Sequence, residues 1–188
     1  MSDKTRNPVI ETYHFASDGA VPNSVLPLVV YRGALPGTGD RATTCEAMFA
    51  RNLWPDSWRN GIHPYHHYHS TAHEVLGIAR GSARVRLGGE NGRSVELRAG
   101  DVVVIPAGVA HKREAASADL LVIGSYPRGQ TPDMCRAEPD RHDRAAANIR
   151  AVTLPACDPV TGAAAPLLDC WGQGSNQGPN QGSRQRPE

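Results

Sequence analysis

The stretch from Ala83 to Ile123 admits little but a sheet. Ala83, Val85 and Leu87 alternate with Arg84 and Arg86, and Val95 and Leu97 alternate with Ser94, Glu96 and Arg98. Alternation of this kind gives a strand one apolar face and one polar face. Gly88-Gly89-Glu90-Asn91-Gly92 between the two predicts a hairpin turn. Val102-Val103-Val104-Ile105 and Leu120-Leu121-Val122-Ile123 are unbroken apolar runs, as expected of strands covered on both faces. Short strands joined by Gly-rich turns point to a mainly β protein, a sandwich or small barrel.

The flanks add helices and a polar end. Val25 to Tyr31 reads as a further strand. Asp40 can cap a helix running to about Asn52, because Ala42, Cys45, Met48 and Phe49 recur at three- and four-residue spacing. Arg141 to Arg150 predicts a short helix. From Gly172 to Glu188 there is no apolar residue, and a disordered tail is expected. With 188 residues, the chain is about one domain long. It divides into N-terminal strands and a helix packing on the barrel (1–60), a core (61–127), a C-terminal helix and extension (128–171) and the tail (172–188).

Charge removes some functions. The 20 Lys+Arg and 19 Asp+Glu nearly cancel, leaving +1, so no nucleic-acid partner is expected. No apolar run approaches the roughly 20 residues of a membrane span, and the polar start Met1-Ser2-Asp3-Lys4-Thr5-Arg6 leads into no signal-peptide core. The expected location is the cytoplasm, with no membrane partner. Cys45, Cys135, Cys157 and Cys170 form no CxxC pair; they are expected to be free thiols, and a zinc knuckle is not supported.

The chemistry concentrates in one segment. Five of the eight histidines lie between His63 and His73. On a strand, His67 and His69 project to the same face with Tyr68 opposite. Two such imidazoles can grip a cation, and Glu74 can add a hard oxygen ligand. His111 is the candidate for a fourth ligand, turned back toward the cavity by Pro106 and Gly108. Tyr65 shares parity with His67 and either lines the cavity or packs in the core. Arg113 shares parity with His111; it either meets an anionic substrate or stands solvated near a strand end. His73 is expected to face away from Glu74, and His63 and His66 to be structural or solvated, or to widen the rim.

These two segments resemble the paired motifs of the cupin superfamily. Gly61, His67, His69, Glu74 and Gly81 fall at the spacing of the first motif, and Gly100, Pro106, Gly108 and His111 at that of the second. Ala115 stands where the second motif often has asparagine, a position that is not a metal ligand in the family. Over most of the ordered chain the sequence also resembles the small bacterial YjlB-like cupins, in Tyr65 to Gly77, in Trp54, and in Asp158-Pro-Val-Thr-Gly162 ahead of Trp171. The resemblance implies a double-stranded β-helix, the cupin jelly-roll barrel, with a few peripheral helices. It also implies one divalent metal ion (Fe, Mn, Ni, Co, Zn or Cu) on His67, His69, Glu74 and His111. Three readings of function follow. The first is a metalloenzyme acting on a small polar molecule by dioxygenase-type or isomerase-type chemistry. The second is a non-catalytic cupin that binds or senses a small ligand. The third is a storage or structural cupin with an incidental metal, which the small size and single barrel disfavour. A homodimer is expected, since open sheet edges favour pairing.

Overall fold

A computed structural model describes residues 8–37 and 39–174. Among the described residues, nine strands form two antiparallel sheets. The larger holds β1 (Val9–Phe15), β2 (Ser24–Arg32), β3 (Trp58–Asn60), β4 (Glu74–Arg80), β7 (Val102–Ile105) and β9 (Leu121–Ser125), in the spatial order β1-β2-β7-β4-β9-β3. The smaller holds β5 (Ser82–Leu87), β6 (Arg93–Arg98) and β8 (His111–Ala116), in the order β6-β5-β8. Among the described residues, three α-helices and a short 3-10 helix (Pro139–Arg141) complete the fold: α1 (Arg41–Arg51), α2 (His142–Ala151) and α3 (Leu167–Gly174). This is the mainly β jelly roll expected. The sheets lie face to face, and no ladder among the described residues joins them into a closed barrel.

The large sheet is covered on both faces, which accounts for its unbroken apolar runs. Leu28, Val30, Leu76, Ile78, Val103 and Ile105 point toward Ala83, Val85, Leu87, Val95 and Leu97 of the small sheet. The alternate residues Val29, Tyr31, Val75, Val102 and Val104 meet Cys45 and Phe49 of α1 and Leu167 and Trp171 of α3. The small sheet is covered on one face only, so its strands keep their alternation. Arg84 is exposed on the outer side and Arg86 half-buried, and both pair with Glu114.

The N-terminal strands belong to the large sheet, β2 lying between β1 and β7, and do not form a separate layer. Asp40 caps α1, its side chain accepting from the Ala42 and Thr43 N–H groups. The Asp158-Pro-Val-Thr-Gly162 segment is a clasp built on the buried Asp158. Asp158 accepts from the Tyr31 hydroxyl at 2.6 Å and from the N–H groups of Val160, Thr161 and Leu167. It thereby fixes α3, whose Trp171 indole donates to the Pro27 carbonyl at 2.8 Å. Helix α3 runs to Gly174, so its last three residues fall inside the expected tail; the rest of that segment, 175–188, lies outside the described residues. All four cysteines are free. Among the described residues, no helix is long and apolar enough to cross a membrane.

Candidate metal centre

The two histidine motifs meet through backbone hydrogen bonds. His67 N–H donates to the His111 carbonyl at 3.2 Å, and His111 N–H donates to the His67 carbonyl at 2.9 Å. The segment carrying His67 thus lies along the free edge of β8, with Arg113 N–H donating to the His63 carbonyl at 2.9 Å. His67 and Tyr68 form isolated bridges, where a regular strand was expected. Gly108 closes the turn ahead of His111. It has φ +94°, its N–H donates to the His69 carbonyl at 2.8 Å, and a Cβ there would overlap the Asn23 carbonyl. Only glycine meets both demands at little cost.

The structure brings His67, His69 and His111 together, with their ligand nitrogens within 4.8 Å of one another and all three buried. This group can hold a metal ion. Glu74, the first residue of β4, is also buried; its Oε1 lies 3.5 Å from His69 Nε2 and its Oε2 lies 3.2 Å from His111 Nε2.

The surroundings suit a cation. Each Nδ1 faces a backbone carbonyl: His69 that of Asp133, His67 that of Tyr65 at 3.3 Å and His111 that of Val109 at 3.4 Å. A carbonyl oxygen only accepts, so the Nδ1 proton is assigned there and Nε2 is left as the donor atom. Glu74 Oε2 is buried and accepts no hydrogen bond, a costly state for a carboxylate oxygen unless a cation meets it. Burial works to raise the Glu74 carboxyl, but the neighbouring His69 and His111 outweigh it and hold the group well below the usual carboxylate range. Burial pushes the His67 imidazole down to about 3, helped by His111. At His69 burial opposes the charged form, yet Glu74 and the Asp133 carbonyl outweigh it and raise the pKa. A metal ion takes the place of such a proton when it binds.

Asp133 organises this loop from outside the two motifs. Beyond its carbonyl on His69, its carboxylate accepts from Ser70 N–H at 2.6 Å, Thr71 N–H at 3.3 Å and the Ser70 hydroxyl. Tyr68, on the face opposite His67, pairs with Cys135 and packs on Ala145 of α2.

The ligands open into a cavity of about 170 Å³, lined also by Trp58, Asn60, Gly61, Ile62, His63, Leu76, Tyr126 and Met134. His63 therefore reaches the rim, whereas His66 does not line the cavity and pairs with Glu90 at 3.2 Å. Tyr65 is not a wall. Pro64 and Tyr65 form a bend, which breaks the parity argument; the Tyr65 ring stacks on His63 with centroids 4.8 Å apart and carries the Arg136 guanidinium 3.4 Å from its centre. Arg113 is not a wall either. Two residues of strand carry it about 7 Å beyond His111, and it lines an open hollow with Pro64, Arg84, Arg86, Ser94, Lys112 and Glu114. His73 is buried but turned away from the ligands, accepting from Ala107 N–H at 3.0 Å and packing on Trp171; burial pushes its pKa down to about 4. Tyr126 and Trp58 had no motif to announce them. The Trp58 indole donates to the Tyr126 hydroxyl at 3.3 Å, and the Tyr126 ring stands edge-on to His69. Burial, with the Glu74 carboxylate nearby, raises the Tyr126 pKa.

Residues 59–124 match the Cupin domain family. The chain is 44% identical over 162 residues to the uncharacterized protein YjlB of Bacillus subtilis (strain 168), covering 86% of this chain and 96% of that protein. Among solved structures it is similar to the acireductone dioxygenase from Bacillus anthracis with a cadmium ion in its active center, at 17% identity and a TM-score of 0.37, covering 66% of this chain and 82% of that one. It is also similar to the 11S allergen from Cocos nucifera L., at 21% identity and a TM-score of 0.32 over 41% of this chain, and spans 24% of that allergen's length.

Proposed function

This chain belongs to the YjlB-like cupins, and on that premise we propose that it is a metalloenzyme acting on a small polar molecule by dioxygenase-type or isomerase-type chemistry. One divalent ion (Fe, Mn, Ni, Co, Zn or Cu) sits on His67, His69 and His111 with a Glu74 oxygen. The observation that carries this is the Glu74 carboxylate, buried beside two imidazole Nε2 atoms with one oxygen receiving no hydrogen bond. When bound, the ion supplies a Lewis acid able to polarise a substrate oxygen or to bind O₂.

The chain's own residues do the rest. The carbonyls of Tyr65, Asp133 and Val109 hold the imidazoles in one tautomer. Trp58 steadies Tyr126 so that its hydroxyl stands at the cavity wall. Ile62 and Leu76 give the cavity an apolar side.

Stripping metal with a chelator is the test. An ion bound only by the native state raises its stability, so chelation lowers the melting temperature and one equivalent of metal restores it. Melting indifferent to the chelator contradicts the reading. Turnover that persists under anaerobic conditions assigns the isomerase branch; turnover that requires oxygen assigns the dioxygenase branch.

A further inference from the structure

The cavity walls say more about what enters. Among the described residues, no lysine or arginine lines the cavity, and Glu74 is its one carboxylate. Cations on neighbouring segments are otherwise placed: Arg113 lines the outer hollow, the Arg136 guanidinium rests on the Tyr65 ring, Arg59 pairs with Glu46 and Lys112 with Glu90. A charge carried into such a space away from the metal finds no partner, and an unpaired charge out of water is strongly disfavoured. A cationic molecule meets the metal's own positive charge.

One wall is aromatic and fixed. Trp58 pairs with Gly124 across β3 and β9, and a Cβ at Gly124 would overlap the Trp58 ring. Glycine there lets the indole lie against the strand, and the bond from Trp58 to Tyr126 locks the second ring. A cavity of about 170 Å³ is near the roughly 150 Å³ that holds benzene in an engineered protein core. Asn60, His63 and Met134 are exposed and mark its mouth.

Resting on the metal reading above, we infer that the site takes a ring-sized molecule, uncharged except at the oxygens that bind the metal, with its flat face against Trp58 and Tyr126. An anionic group at its far end is selected against, because no lysine or arginine among the described residues lines the cavity.

The experiment uses the full chain loaded with Zn(II), its metal content measured first. Two probes of matched size, 3,4-dihydroxybenzamide and 3,4-dihydroxybenzoate, carry the same pair of oxygens and differ in one distal charge. Calorimetric titration is expected to show the benzoate binding about tenfold more weakly than the amide, or worse. Asn60→Lys, which brings a cation to the mouth, is expected to narrow that gap while the zinc content stays unchanged. Benzoate binding as tightly as the amide overturns the inference. So does failure of both probes at a fully loaded site, which leaves the metal reading standing. A chain that takes up no zinc overturns both.

Discussion

His67 and His111 form a reciprocal backbone pair, each N–H donating to the other's carbonyl, and their rings stand 4.0 Å apart between centroids. These two imidazoles are therefore placed by main-chain hydrogen bonds at the edge of β8. A site built this way is preorganised: the imidazoles need little rearrangement to converge on an ion.

Asp133 holds the same loop from the other side. Its carboxylate gathers Ser70 and Thr71 while its carbonyl faces His69 Nδ1. Asp133→Ala is expected to weaken metal binding by about tenfold or more, the range found when outer hydrogen-bond partners of metal ligands are removed. Competition against a chromogenic chelator measures the affinity, with the melting temperature followed in parallel. Unchanged affinity in a folded variant contradicts the assignment.

At Gly77 in β4, Cys45 and Phe49 of α1 pack directly against the large sheet. A Cβ there would overlap Cys45 Sγ and lie 3.3 Å from Phe49 Cζ. Gly77→Ala is expected to destabilise the chain by about 1–3 kcal/mol, the usual cost of overpacking. In a Cys45→Ala background the cost should shrink, since the overlapping sulfur is gone. Urea denaturation of the four variants reads the coupling; additive costs contradict this contact.

Cys45 also sets an alkaline limit. Burial pushes its thiol from 9.0 up to about 12. The folded state favours the neutral thiol, so this stabilisation is whole below pH 9 and is lost as pH rises from 9 through 12. The stability of Cys45→Ala should fall less steeply than that of the wild type above pH 9. Parallel curves from denaturation at stepped pH contradict the linkage.

The sequence announced the parts of the site that depend on spacing. His67, His69, Glu74 and His111 stand at fixed intervals around glycines that the turns require, and the structure brings them into one region. The helix after Asp40 and the hairpin at 88–92 were legible because a cap and a turn are local devices. Parity failed for Tyr65 and Arg113. The bend at Pro64–Tyr65 interrupts the period of two, and distance along β8 takes Arg113 past the cavity. Strand β3 is three residues long, too short to show a period, so Trp58 was not legible as a wall. Strand β1 puts Ile10 toward the helix layer and Tyr13 and Phe15 toward the small sheet, which hides alternation. Asp133 acts through long-range hydrogen bonds that no spacing encodes.

The most direct measurement is elemental analysis of untagged protein beside the His67→Ala/His69→Ala double variant. A histidine tag must be absent, since it binds metal by itself. Close to one divalent metal per chain is expected in the wild type, lost in a variant that remains folded. A wild type that holds no metal after reconstitution, or a double variant that retains it in full, contradicts the proposed centre.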